Sequence, residues 1–170
     1  MIWLDHILWA APDLDEGAKT IEPARDYVLP LGKARRVLDA DAGRVEAGES
    51  VCIITYGMGV YWGVAAAAQF AGQVEIVDLR TLYPLDEELV YSTVRRHGKC
   101  LVLTEEQQNN SFAEALAGRI GRNCWSGLDA PVEVLGALNL PAVPMNVGLE
   151  AAMLPNASKV AEALGRLLSY

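Results

Sequence analysis

The sequence predicts an α/β protein, a three-layer αβα sandwich around a mostly parallel sheet of about five strands. Three observations carry this. Short β-branched runs, VCIIT (residues 51–55), VEIVD (74–78), CLVLT (100–104) and VEVL (132–135), alternate with segments of ten or more residues at helical spacing. Most of these runs are nearly continuous in apolar residues, as strands covered on both faces are. Glycine or an N-capping side chain stands at most junctions, and the strand–helix–strand order then imposes right-handed crossovers between parallel neighbours.

Taken in order, the first run leads through Gly57 into a helix with Val60, Val64, Ala67 and Ala68 on one side, ending at Gly72. The second delivers Asp86 as an N-cap, with Glu87 and Glu88 in the first turn, Arg95 and Arg96 in the last, His97 at the C-terminus and Gly98 as the stop. After the third, Ser111 and Glu114 form a capping box ahead of Phe112, Leu116 and Ile120. The fourth leads through Pro141, Pro144 and Pro155 to a last helix capped by Asn156, with Val160, Leu164, Leu167 and Leu168 on one face. Ahead of these, residues 2–10 read as a strand, 13–20 as a short helix and 26–37 as an extended arm. Charge density marks a boundary: the first 49 residues hold 10 acids and 6 bases, the remaining 121 only 12 and 8. The expected organisation is an atypical leader over 1–20, a linker or arm over 21–49 and the folded domain over 50–170.

Composition narrows the function. With 170 residues, 52% of them hydrophobic, the chain fills one core. Its 14 Lys+Arg against 22 Asp+Glu give a net charge of −8, which disfavours nucleic acid and anionic membranes and favours a basic protein partner. The longest apolar run, residues 60–68, is far short of the ~20 residues of a membrane span, and no export signal is visible, so a soluble protein is expected. Cys52, Cys100 and Cys124 are odd in number and lack CxxC spacing, which reads as reduced, buried thiols in a cytoplasmic protein. His6 and His97 are the only histidines, so no His-rich metal site is expected, and a Ser-His-Asp arrangement would have to use one of them.

Three clusters could carry chemistry. Gly57, Gly59 and Gly63 form a GxGxxxG after a strand, with Asp78 closing the next strand; this suits a dinucleotide's pyrophosphate and ribose, or a tight turn with no ligand. Glu105 and Glu106 follow the third strand, where open sheets place ligands, but adjacent residues on an extended segment point opposite ways, so an interface or capping role is the alternative to catalysis. Asp86 reads as a cap, while Arg80, at a strand's carboxyl end, either pairs locally or clamps an anion or a neighbouring subunit.

In these residues the chain resembles the C-terminal domain of the transketolase-like family, most closely the E1 component β subunit of thiamine diphosphate-dependent 2-oxo acid dehydrogenases. The stretches that carry the resemblance are LPLGKARRV (29–37), CIITYGMGV (52–60), VEIVDLRTLYPLD (74–86), GKCLVLTEEQ (98–107), SFAEALAGRI (111–120), LDAPVEVLGALNLPAVP (128–144) and residues 149–170. IEPARDY (21–27) resembles the linker before that domain. The resemblance implies an assembly and interaction domain, not catalytic alone. In such enzymes other domains bind thiamine diphosphate and Mg²⁺, and this one builds the homodimer or α/β interface and docks a basic subunit-binding domain of the acyltransferase component. Arg80, Asp86, Glu105 and Glu106 are then the interface candidates, with no catalytic or metal-binding residue in this chain. LDHILWAAPDLD (4–15) resembles the opening of glyoxalase-like domains, in which such a histidine is a metal ligand; the remaining ligands have no counterpart here. The other function class that remains is a nucleotide-binding module built on the Gly57–Gly63 turn.

Overall fold

Side-chain alternation along the central strands sets the layering, because each strand feeds two separate cores. The computed structural model describes residues 30–170, so the expectations for residues 1–29, including His6, lie outside the described residues. Its elements are β1 (Arg35–Leu38), α1 (Ala42–Glu46), β2 (Val51–Thr55), α2 (Met58–Ala67), β3 (Val74–Asp78), α3 (Glu87–His97), β4 (Cys100–Gln107), α4 (Phe112–Cys124), β5 (Glu133–Ala137), α5 (Val147–Met153) and α6 (Ala157–Leu168). The sheet order is β1-β3-β2-β4-β5. All neighbours are parallel except β1, which pairs antiparallel with β3.

On one face, Val51, Ile53, Val74, Ile76, Leu101 and Leu103 meet α2 and α6. On the other, Cys52, Ile54, Val77, Cys100 and Val102 meet α3 and α4. The three layers and five strands match the expected class. Residues 35–38, expected within an extended arm, form the edge strand, and both β1 and α1 belong to the unit Leu31–Tyr170, which begins well before residue 50. The caps lie where the sequence placed them. Asp86 accepts from the Leu89 amide, Ser111 from Glu114 and Asn156 from Lys159. Gly98 ends α3 with φ +68°. Along α6, Val160, Leu164 and Leu167 are buried, each contributing about 1.5–3 kcal/mol, while Leu168 stays half-buried. The proline-punctuated connection also holds the short helix α5, capped by Asn146.

The face of α2 differs from the expected one. Val64 is exposed and Val60 half-buried; the buried side is Gly59, Gly63, Ala66 and Ala67. Residues 57–73 carry no charge, so apolar periodicity could not orient the helix, and the closest packing decided it. A Cβ on Gly59 would lie 2.0 Å from Thr55 Oγ1, which is held by its 2.9 Å hydrogen bond to the Leu103 carbonyl. A Cβ on Gly63 would meet the Ile53 and Ile76 methyls at 3.4 Å, an ordinary contact. The two glycines should therefore respond differently to a methyl group. Gly59→Ala is expected to lose about 1–3 kcal/mol in urea unfolding, whereas Gly63→Ala should be neutral or gain up to ~1 kcal/mol from helix propensity.

Candidate functional site

The carboxyl edge of the sheet gathers the polar residues that the sequence singled out. Strand β4 runs on to Gln107, so Glu105 and Glu106 are its final turns of pleat and not a loop beyond it. Residue Gln107 registers with Ala137 after a shift in pairing. Gly136 makes that approach possible, since a Cβ there would sit 2.7 Å from the Glu106 carbonyl.

Glu106 is tied down from two sides. The Tyr56 hydroxyl donates to its Oε1 at 2.7 Å and accepts from Thr104 Oγ1 at 2.8 Å. The Ala113 amide, in the first turn of α4, donates to the same carboxyl oxygen at 3.2 Å. A carboxylate at a helix N-terminus is stabilised by unpaired amides and by the dipole, so Glu106 serves α4. Tyr56 also packs edge-on against Phe112, and burial, followed by the charge and hydrogen bond of Glu106, pushes its hydroxyl pKa upward against the donation from Thr104. Glu105 and Glu106 do not form a dyad, because consecutive strand residues face opposite ways.

Asp86 is likewise engaged within the domain. One oxygen caps α3 and the other accepts from the Ala34 amide at 3.1 Å. Arg80 sits at φ +59°, and its amide donates to Asp78 Oδ1 at 3.0 Å. Burial raises the Asp78 carboxyl above its ordinary value, opposed by the Arg80 amide and by the charges of Arg80 and Arg35. Asp78 is thus bound into its own turn, and Gly59 and Gly63 are spent on packing α2 to the sheet, which is reason enough for the glycine motif.

Several acids stand at the carboxyl ends of the strands and the helix starts that follow them. Asp78, Asp86, Glu87, Glu88, Glu105, Glu106 and Glu114 lie at the carboxyl edge, with Arg35 and Arg80 beside Asp78 and Arg119 reaching Glu87 at 3.0 Å. Residues 1–29, outside the described residues, contribute six acids and two bases to the net charge of −8.

Sequence reasoning missed one polar cluster. Glu75 is buried, with 2% of its side chain exposed, and is paired with Arg36 Nε at 3.2 Å, with Arg96 and with His97 Nε2 at 3.3 Å. Thr93 Oγ1 donates to it at 3.4 Å, and Ser50 Oγ lies 2.7 Å from His97 Nδ1. Ser50, His97 and Glu75 thus line up as a hydroxyl–imidazole–carboxylate chain, but each is at most 2% exposed, so no substrate reaches the hydroxyl. The signal for it was a lone acid inside the apolar run VEIVD, which demands buried partners. Cys52, Cys100 and Cys124 are free and buried, and burial raises the Cys52 and Cys124 thiols, which keeps them protonated and inert. Among the described residues no group of three His, Cys, Asp or Glu is placed to hold a metal, and no helix is long and apolar enough to cross a membrane.

A sequence profile of the family described as "Transketolase, C-terminal domain" matches residues 40–160, and the chain belongs to that family. Among its relatives, the 2-oxoisovalerate dehydrogenase subunit beta of Bacillus subtilis (strain 168) is 35% identical over 151 residues, covering 87% of this chain and 44% of the relative. The pyruvate dehydrogenase E1 component subunit beta of Rhizobium meliloti (strain 1021) is 31% identical over 142 residues, covering 82% of this chain and 29% of the relative. The chain therefore spans less than half the length of these relatives. A solved chain described as "Split gene transketolase, inactive beta4 tetramer" superimposes with a TM-score of 0.63 at 18% identity, over 85% of this chain and 44% of that one, a likeness of fold.

The Glu75 cluster makes a pH prediction. Burial alone would raise this carboxyl, but the hydrogen bond and charge of His97, then Arg96 and Arg36, bring it below its ordinary 4.5. A carboxyl whose folded pKa lies below its unfolded one stabilises fully above the unfolded value, and this is lost as pH falls through the folded one. Glu75→Gln should cost about 1–3 kcal/mol at pH 7 by removing the carboxylate that Arg36, Arg96 and His97 share. Its unfolding free energy should also fall less steeply than the parent's between about pH 5 and pH 3, as read by urea melts across that range.

Proposed function

We propose that this chain is the assembly and interaction part of a thiamine diphosphate-dependent 2-oxo acid dehydrogenase, the C-terminal domain of an E1 β-type subunit that does not catalyse alone. The observation that carries the reading is the outer side of α2. Met58, Tyr61, Val64, Ala65 and Ala68 are exposed there, on a helix without a single charge. Apolar surface of this kind, with a polar surround, marks a protein interface. Leu138, Val143 and Met145 between β5 and α5, and Val147 and Leu149 in α5, add exposed apolar surface. The relatives that support the reading are themselves named as β subunits of such dehydrogenases.

The partners that fit are a second copy of the chain or an E1 α/β assembly, and a basic subunit-binding domain of the acyltransferase component. The acidic carboxyl edge suits the basic partner, with Glu88, Glu105 and Glu106 exposed there and the half-buried Arg80 and Asp86 shaping it from within. Thiamine diphosphate and Mg²⁺ are the cofactors of such complexes, and Gly59 is filled by its close approach to Thr55. They belong in this reading to the intact complex, in the cytoplasm, where the free thiols stay reduced. No observation favours the dinucleotide reading of Gly57, Gly59, Gly63 and Asp78.

Calorimetric titration with a basic subunit-binding domain of an acyltransferase component tests the proposal. Saturable binding is expected, at least tenfold weaker, ~1.4 kcal/mol, when salt rises from about 50 to 300 mM. Charge reversal by Glu88→Lys with Glu105→Lys should weaken it comparably. No binding at either salt, with saturable binding of NAD(H) instead, would reverse the assignment.

A further inference from the structure

Strand β1 is held to the sheet without burying a side chain of its own. All four of its residues are exposed, and its pairing with β3 shifts register between Arg36 and Leu38. Its side-chain tie is Arg36 to Glu75. Just before it, the Gly32 amide donates to Thr81 Oγ1 at 3.0 Å and the Ala34 amide to Asp86. Beneath it, β3 carries Ile76 and Val77, both fully buried.

Glu75 is placed asymmetrically. From α3 it faces Arg96, His97 and the Thr93 hydroxyl; from β2 it faces the Cys52 thiol in the paired position; from β1 it faces Arg36. His97 in turn rests on Ser50. With β1 gone, the carboxylate keeps its partners on α3, so parting from the strand leaves no buried charge unpaired. Edge strands attached by so little side-chain burial occupy the low end of the local-opening range.

We propose that residues 31–38 are a detachable guard on the sheet edge, latched by the Arg36–Glu75 pair and released as a unit, while β2 to β5 remain folded. Release leaves the backbone of β3 open, the kind of edge that native sheets keep covered.

Site-resolved hydrogen exchange on the full chain at pH 7, expressed as protection over each amide's intrinsic rate, tests this. Arg36→Met should lower protection across residues 31–38 about tenfold or more, and with it the protection of alternate β3 amides, those directed at β1. Amides of β2 and β4 should stay within about twofold of the parent. Glu75→Gln should open the same segment, but it also strips Arg96 and His97 of their partner, so Arg36→Met is the deciding variant. Unchanged protection over 31–38 in Arg36→Met overturns the proposal, as does a loss shared equally by β2 and β4.

Discussion

The seating of α2 on the sheet through Gly59 and Gly63 is the contact on which the rest of the molecule depends. It brings the helix against Thr55, Ile53 and Ile76 so closely that only small side chains fit between them. The larger apolar residues of the same helix, Met58, Tyr61 and Val64, are left on the outer side. With α6 alongside and no charge over residues 57–73, α2 presents apolar surface in two directions, and the domain's own core uses one of them. A helix apolar all round belongs in an interior, and the proposed assembly would supply the part of it that the domain's own core does not.

Charge is arranged around this apolar framework with a division of labour. The carboxyl edge holds acids engaged with helix starts, the half-buried Asp86 and the exposed Glu106, beside the exposed Glu88 and Glu105. The other acid of consequence, Glu75, is buried among Arg36, Arg96 and His97, where it joins β1, β3 and α3. The exposed set suits electrostatic recognition, which contributes to association rate and specificity. The buried set secures the fold.

What was legible in the sequence was local. Caps at Asp86, Ser111 and Asn156, the stop at Gly98 and the four parallel strands β2 to β5 rest on short-range chemistry, and the structure has them in place. The orientation of α2 was not legible, because a helix without polar residues has no periodicity from which to choose a face. Strand β1 escaped because RRVL is charged and exposed, and becomes a strand only through its pairing with β3. The extension of β4 through Glu105 and Glu106 depends on β5 closing over Gly136. The Glu75 cluster joins residues 39 and 22 positions apart, and its His97 reaches Ser50 across 47, separations that no local pattern records.

The apolar outer side of α2 is the centre of the account, and sedimentation velocity over a range of concentrations tests it most directly. The parent chain should sediment as a reversible dimer or larger assembly, and Tyr61→Glu with Val64→Glu should sediment as a monomer with unchanged circular dichroism. A parent chain that stays monomeric at every concentration, or a doubly substituted chain that associates as the parent does, would contradict it.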